Sequence, residues 1–138
     1  MTGPAPETNE PAHDPEVLQL AAKIFDLARE GDAATVAAYV DAGVPPNLSN
    51  DKGDTLLMLA AYHGHADTVR VLLDRGADAR QGNDKGQTPI AGAVFKGAVE
   101  VVRTLLEAGA DPSAGHPSAI DTARMFGRTE LLDLFGAR

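Results

Sequence analysis

The stretch DKGDTLLMLAAYHGHADTVRVLLDRGAD, residues 51–78, recurs without a gap as DKGQTPIAGAVFKGAVEVVRTLLEAGAD, residues 84–111. Position 51 thus pairs with position 84, and 13 of the 28 aligned pairs are identical. The identities include the DKG triplet, Thr55/Thr88, Gly64/Gly97, Leu72/Leu105, Leu73/Leu106 and Gly76/Gly109. Several mismatches keep the chemistry, as in Tyr62/Phe95, Asp67/Glu100 and Asp74/Glu107. A period of this length marks a repeat architecture, in which each copy is one supersecondary unit.

Each copy reads as the same pair of helices. Thr55-Leu56-Leu57 and Thr88-Pro89-Ile90 place a hydroxyl at a helix start, where it accepts from an unpaired backbone N–H. Pro89 suits the first helical position, whose N–H needs no intrahelical partner. About two turns later the helix stops at Gly64 or Gly97, because glycine enters the left-handed region without strain. A second helix carries Val69, Leu72 and Leu73, or Val102, Leu105 and Leu106. That is one apolar stripe at i, i+3 and i+4. It ends at Gly76 or Gly109, and the polar residues 78–86 turn the chain back toward the next unit.

The register extends in both directions. Ala28, Gly31, Val40 and Gly43 fall one full period before Ala61, Gly64, Leu73 and Gly76. Gly127 follows Gly97 by slightly less than a period, with Ile120, Ala123, Leu131 and Leu132 in matching places, so the last hairpin is shortened within residues 113–117. Four units are expected, over about 17–49, 50–82, 83–115 and 116–138, inside one domain spanning 15–138. A single unit cannot bury its stripe; stacking roughly three or more creates the core. The end units must then show wettable outer faces. Ala33, Ala37 and Ala38 replace bulk in the first, and Arg128, Glu130, Asp133 and Arg138 mark the last.

Charge and composition narrow the function classes. Twenty acids against twelve Lys and Arg give a net charge of −8. Residues 1–14 hold Glu7, Glu10 and Asp14, no base, and Pro4, Pro6 and Pro11. Such a segment buries too little apolar surface to offset its ordering entropy, so a disordered acidic arm is expected there. Asp14-Pro15-Glu16 then suits a helix start. Nowhere is there a basic run that would neutralise phosphates, so neither nucleic acid nor an anionic membrane is expected as partner. No apolar stretch approaches the ~20 residues of a membrane span. The opening residues lack the basic and apolar regions of a secretory signal, and a cytoplasmic address is expected. The absence of cysteine excludes a disulfide framework, a Cys metal site and a Cys nucleophile. Aromatics are 4% with no Trp, so the core is expected to come from Leu, Val, Ile and Ala.

TLLMLAAYHGHADTVRVLLDRGAD and TPIAGAVFKGAVEVVRTLLEAGAD, each following DKG, resemble the ankyrin repeat. The resemblance covers about residues 17–135 and points to a small stand-alone bacterial member of that family. It implies an all-α solenoid of four stacked helix–turn–helix units with hairpin loops projecting at about a right angle. Two departures stand out. The family's first-helix His after Thr-Pro-Leu is Met58 in one copy and Ala91 in the next. Its hydrogen bonds to neighbouring loops should be missing, and the hairpins looser. The family's Asn after the Gly-Ala-Asp turn is Asn47 in the first unit but Arg80 and Ser113 later.

Residues able to carry chemistry are few. His63-Gly64-His65-Ala66-Asp67 is the His/Asp cluster, but two His flanking a helix-ending glycine diverge, and a metal wants three or four converging ligands. The resemblance implies that His65 instead packs and hydrogen-bonds at the helix junction. No metal and no cofactor are expected. Ser49, Ser113 and Ser118 lack a Gly-x-Ser-x-Gly setting. The acid pairs Asp51/Asp54 and Asp78/Asp84 lie on water-facing loops, where nothing raises a carboxyl pKa. No enzyme is expected.

In the ankyrin pattern the two residues before the helix-ending glycine face a concave groove, and the hairpin tips continue that surface. The resemblance thus assigns Tyr62 and His63, Phe95 and Lys96, and Met125 and Phe126 to one ridge, after Arg29 and Glu30 in the first unit. Three of the six aromatics fall on it, with Met125 next in line after Tyr62 and Phe95. Rings and Met are enriched at interface hot spots. Asp51, Lys52, Asp54, Asp84, Lys85 and Gln87 would form a charged rim. The expected function is non-catalytic binding of a protein partner by a monomer, through the concave face and hairpin tips. Two alternatives remain open. One is an accessory, chaperone or immunity-type helper of a specific enzyme, for example a haem catalase. The other is a structural spacer, in which the rings serve packing alone.

Overall fold

The structure, a computed structural model, describes residues 15–137. The acidic arm expected over residues 1–14, the proposed cap Asp14 and the end residue Arg138 lie outside the described residues.

Eight helices lie among the described residues: α1 (Pro15–Glu30), α2 (Ala33–Asp41), α3 (Leu56–Tyr62), α4 (Ala66–Asp74), α5 (Pro89–Lys96), α6 (Val99–Glu107), α7 (Ala119–Met125) and α8 (Thr129–Leu134). They form two rows. The first helices α1, α3, α5 and α7 pack in sequence, the second helices α2, α4, α6 and α8 do the same, and each pair packs on itself. The fold is an all-α repeat solenoid.

Local chemistry explains the helix starts. Thr55 Oγ1 accepts from Met58 N at 3.1 Å, Thr88 Oγ1 from Ala91 N at 3.2 Å, and Ser118 Oγ from Asp121 N at 3.0 Å. All three hydroxyl residues are buried, so each cap replaces water that cannot reach the N–H groups. Pro89 occupies the first turn of α5. The exception in length is α1, with 16 residues rather than two turns. Pro15 sets its first turn, and Leu, Gln, Ala and Lys carry it on with little propensity cost. The added turns leave Val17, Leu18 and Leu20 exposed.

The core lies between the two rows. Leu56, Leu57, Val69, Leu72, Ile90, Val94, Val101, Val102, Leu105 and Leu131 are each at most 1% exposed. They come from both helices of a pair, which is why neither helix is stable alone. Phe25 is buried with them, so one ring joins a core otherwise built of Leu, Val, Ile, Ala and Met58.

The junction after each first helix has a repeating contact. Gly31 takes φ +83°, and a Cβ there would sit 2.5 Å from the His65 ring of the next unit. His65 Nε2–H donates to Arg29 O at 2.6 Å. Two units on, Arg128 covers Gly97 and its Nη2 donates to Phe95 O at 3.1 Å. Arg128, expected to face water on the last unit, is therefore turned inward. The unit between has Ala98 over Gly64, which carries no donor to make the bond. Ala98→His is expected to add the missing bond to Tyr62 O and stabilise the fold by about 0.5–1.5 kcal/mol. A higher urea midpoint at unchanged slope would show it.

The hairpins are tied together by a device other than the absent family His. Asn50 Oδ1 accepts from Lys52 N at 2.9 Å and Asp54 N at 3.0 Å. Asn83, at the same place in the next unit, accepts from Lys85 N at 3.0 Å and Gln87 N at 2.9 Å. Asn83 Nδ2 then donates across to Asp54 Oδ1 at 2.7 Å, and Asp84 N to Lys52 O at 3.1 Å. His116 N continues the chain of bonds to Gly86 O at 3.0 Å. Asn47 braces the first loop by accepting from Asp78 N at 2.7 Å. Where Arg80 and Ser113 replace that Asn, Asp78 and Asp111 accept locally from their backbone N–H groups, both at 2.9 Å. Asn83→Ala is expected to cost about 1–2 kcal/mol, because it strips acceptors from two loop N–H groups and a donor from Asp54. Hydrogen exchange at Lys85 and Gln87 should accelerate together.

Candidate binding groove

A groove of about 570 Å³ runs along the first helices between the helix ends and the hairpins. Its wall is the ring ridge. Tyr62, Phe95 and Phe126 are 44%, 45% and 47% exposed, so each presents about half its surface. Tyr62 and Phe95 lie nearly parallel, with centroids 5.5 Å apart and 5° between planes. Phe126 meets Phe95 edge-on at 5.3 Å and 83°. Both arrangements suit the ring quadrupole. The ring that follows Phe95 is thus Phe126, and Met125 stands beside it as the most exposed of the four at 66%.

Of the residues expected at the site, Tyr62, His63, Phe95, Met125, Phe126, Lys52, Asp54 and Gln87 line the groove. Asp51, Asp84, Lys85 and Lys96 do not line it. Lys96 turns back over the preceding unit, where a Cβ on Gly64 would meet its Cγ at 3.3 Å. Asp84 packs against Gly53 within the hairpin stack, and Asp51 and Lys85 remain exposed at the tips.

The floor holds residues that the repeat pattern did not single out as contacts. Met58 and Leu59 come from α3, Ala91 and Gly92 from α5, Thr122 from α7, and Pro117 from the last hairpin; Arg29 of α1 closes one end. Met58 and Ala91 sit where the family has His, so that departure makes the floor apolar. The register carried the signal: Leu59, Gly92 and Thr122 share one repeat position. Gly92 lies within α5, packed on the neighbouring helix: the atoms nearest a Cβ there would be Tyr62 Cα, Cβ and Cδ1, at an ordinary 3.5 Å.

Electrostatics set the state of His63. Partial burial, then the positive neighbours His65, Lys96 and Arg29, lower its pKa from the ordinary 6.5. The shift favours the neutral imidazole, in which one ring nitrogen donates and one accepts. No group of three or more His, Cys, Asp or Glu among the described residues is placed to hold a metal. Among the described residues no helix is long and apolar enough to cross a membrane.

A family profile of ankyrin repeats in three copies matches residues 18–115. The chain belongs to the ankyrin repeat family. An ankyrin repeat protein of Pseudomonas aeruginosa is 47% identical over 53 residues, which is 38% of this chain and 31% of that protein. The matched stretch thus spans about a third of that bacterial relative. Ankyrin repeats are generally protein–protein interaction modules and typically non-catalytic. The helix pairs α1/α2 (from residue 18 on), α3/α4 and α5/α6 fall within the matched residues, while α7/α8 lies beyond them.

Proposed function

We propose that this ankyrin repeat protein is a non-catalytic binding module that grips a protein partner in the groove and along its hairpin rim. The observation that carries the proposal is the ring ridge. Three aromatic side chains, each nearly half exposed, touch one another along the wall of a single groove. A spacer between domains needs no such surface, since exposed apolar rings cost solubility unless a partner covers them. The groove is built on helices and tied hairpins, so little order has to be created on binding. The helix pair α7/α8 keeps the repeat register, which supports counting it as a fourth unit within a domain of residues 15–138. We place the protein in the cytoplasm as a monomer, in line with the polar residues Glu130 and Asp133 at the outer end of the stack.

Affinity capture tests the proposal. Tagged wild-type protein should recover one partner in stoichiometric amount from its host, and Tyr62→Ala/Phe95→Ala should not. A wild-type protein that recovers nothing stoichiometric, or a double variant that recovers the same partner equally well, refutes it.

A further inference from the structure

The first helix leads from the start of the fold into the groove. Leu18, Ala22 and Arg29 share one face of α1, because Ala22 follows Leu18 by four residues and precedes Arg29 by seven. Arg29 lines the groove, Leu18 is 53% exposed, and Ala22 is exposed as well. An apolar track thus runs along α1 toward the groove. Residues 1–14 join the fold at Pro15, where that track begins. From Pro15 to Arg29 the helix rises about 21 Å. Seven extended residues cover about 23 Å, so residues 8–14 suffice to follow the track and bring residues 1–7 to the groove. Neighbouring helices lie about 8–10 Å apart. Seven residues of polyproline II span about 22 Å, enough to pass Tyr62 and reach Phe95. The chemistry of the two surfaces matches. Residues 1–7, MTGPAPE, carry Pro4 and Pro6. Proline fixes φ near the polyproline II value, so such a segment loses little freedom on docking, and aromatic-lined grooves take segments of this kind. Pro4 and Pro6 would stand about 6.2 Å apart along it. The Tyr62 and Phe95 centroids are 5.5 Å apart. Charge agrees. Of the charged residues lining the groove, Arg29 is paired with Asp26, and Asp54 Oδ1 accepts from Asn83 Nδ2 at 2.7 Å. Lys52 lines the groove with no ion-pair partner among the described residues. Residues 1–14 hold Glu7, Glu10 and Asp14 and no Lys or Arg.

We propose that residues 1–7 dock into the groove of their own chain, with Pro4 and Pro6 against Tyr62 and Phe95 and Glu7 against Lys52, and that a partner has to displace them. This deepens the reading of the groove as the binding face, and rests on it, by adding a built-in competitor. A tethered segment meets its site at an effective concentration of about a millimolar, so a contact with a dissociation constant of about 0.1 mM fills the groove about nine-tenths of the time. The apparent affinity for a partner then falls about tenfold, while the rings are covered until one arrives.

The test uses the full chain. It has no cysteine, so Thr2→Cys carries a single nitroxide label. The label should broaden the amide signals of α5 around Phe95 relative to the ascorbate-reduced sample, and leave Arg103 and Glu107 on α6 unchanged. Adding Tyr62→Ala/Phe95→Ala should abolish the broadening. Broadening confined to residues 15–22, broadening equal on α5 and α6, or broadening that survives loss of the rings overturns the proposal. A fluorescein-labelled peptide of residues 1–14 is then titrated by anisotropy into wild type and into Pro4→Gly/Pro6→Gly/Glu7→Gln, whose groove is left open. The variant should bind the peptide at about 0.1 mM, and wild type about fivefold or more weaker. Lys52→Gln added to the variant should weaken the peptide about twofold. Equal binding by wild type and the open variant overturns the proposal. Partner capture reports on the groove separately. If the label shows no docking while Tyr62→Ala/Phe95→Ala loses the captured partner, only the built-in competitor fails. If docking is present and that double variant still captures the partner, the groove is not the binding face and the competitor role falls with it.

Discussion

Leu72→Ala and Leu105→Ala are each expected to cost about 2–5 kcal/mol of folding stability. Both side chains have no exposed surface. They share one repeat position, Leu72 on α4 and Leu105 on α6, and these two helices pack on each other. Each also packs on the first helix of its own unit, so neither site can relax toward solvent as a terminal unit would. The lost transfer energy and the cavity then add. In a linear array the damage also falls on an interface between neighbours, which couples the two ends of the stack. Urea titrations followed by far-UV circular dichroism should show a lower midpoint and, if coupling is broken, a broader transition. Glu107→Ala, exposed at the end of α6, serves as the control and should stay within about 0.5 kcal/mol of wild type. A Leu105→Ala midpoint no lower than that control would mean the register places the wrong residue in the core.

That register is legible in the sequence because core and cap positions answer to rules with few solutions. A buried N–H at a helix start needs a hydroxyl or carboxylate, so Thr55 and Thr88 declare themselves. A stripe facing the core must stay apolar, so Leu72 and Leu105 do too. Functions shared between repeats are harder to read. Asn50 and Asn83 recur at the period, yet their role depends on Asn83 reaching Asp54 of the preceding hairpin, and no local pattern encodes that reach. Arg128 looks like a solvent residue by type. It lies inward because Gly97 leaves room for the guanidinium and Phe95 O lacks another donor there. His65 does the same task with different chemistry, so the shared position is hidden by unlike residues.

The groove shows the same division. Tyr62 and Phe95 are visible through the resemblance and the repeat offset. Phe126 is expected beside them, but the ring contact falls to it rather than to Met125, because it reaches Phe95 edge-on from the adjacent position. Lys96, expected on the ridge, instead lays its stem over Gly64. Long flexible side chains take the apolar surface nearest to them, which a register cannot foresee. The floor at Met58, Leu59, Ala91 and Gly92 escapes notice because apolar residues on a first helix read as core. They serve both ends: Met58 and Ala91 are buried and also line the groove.

Tyr62→Ala/Phe95→Ala is expected to weaken partner binding about thirtyfold or more, the equivalent of about 2 kcal/mol lost at an interface hot spot. The two rings stack within 5.5 Å and share a wall, so one ligand segment touches both and the losses will not simply add. The effect on folding should be far smaller than on binding. Each ring has more than two-fifths of its surface in water, and beyond their mutual stacking truncation opens no sealed cavity. Ring stacking of this kind contributes about 0.5–1.5 kcal/mol, which sets the expected drop in stability. If the rings served packing alone, the ranking would invert: a large fall in urea midpoint with affinity intact. Measuring both quantities on the same protein separates the two. The rim supplies an internal control. Lys52→Ala and Lys85→Ala lie at the hairpin tips and should change association rate and salt dependence more than dissociation, since exposed charges steer encounter. The ridge variant should show the opposite kinetics, with dissociation accelerated and association nearly unchanged, because desolvated rings act after contact is made. A ridge variant that dissociates as slowly as wild type would move the binding face to the convex side of the solenoid.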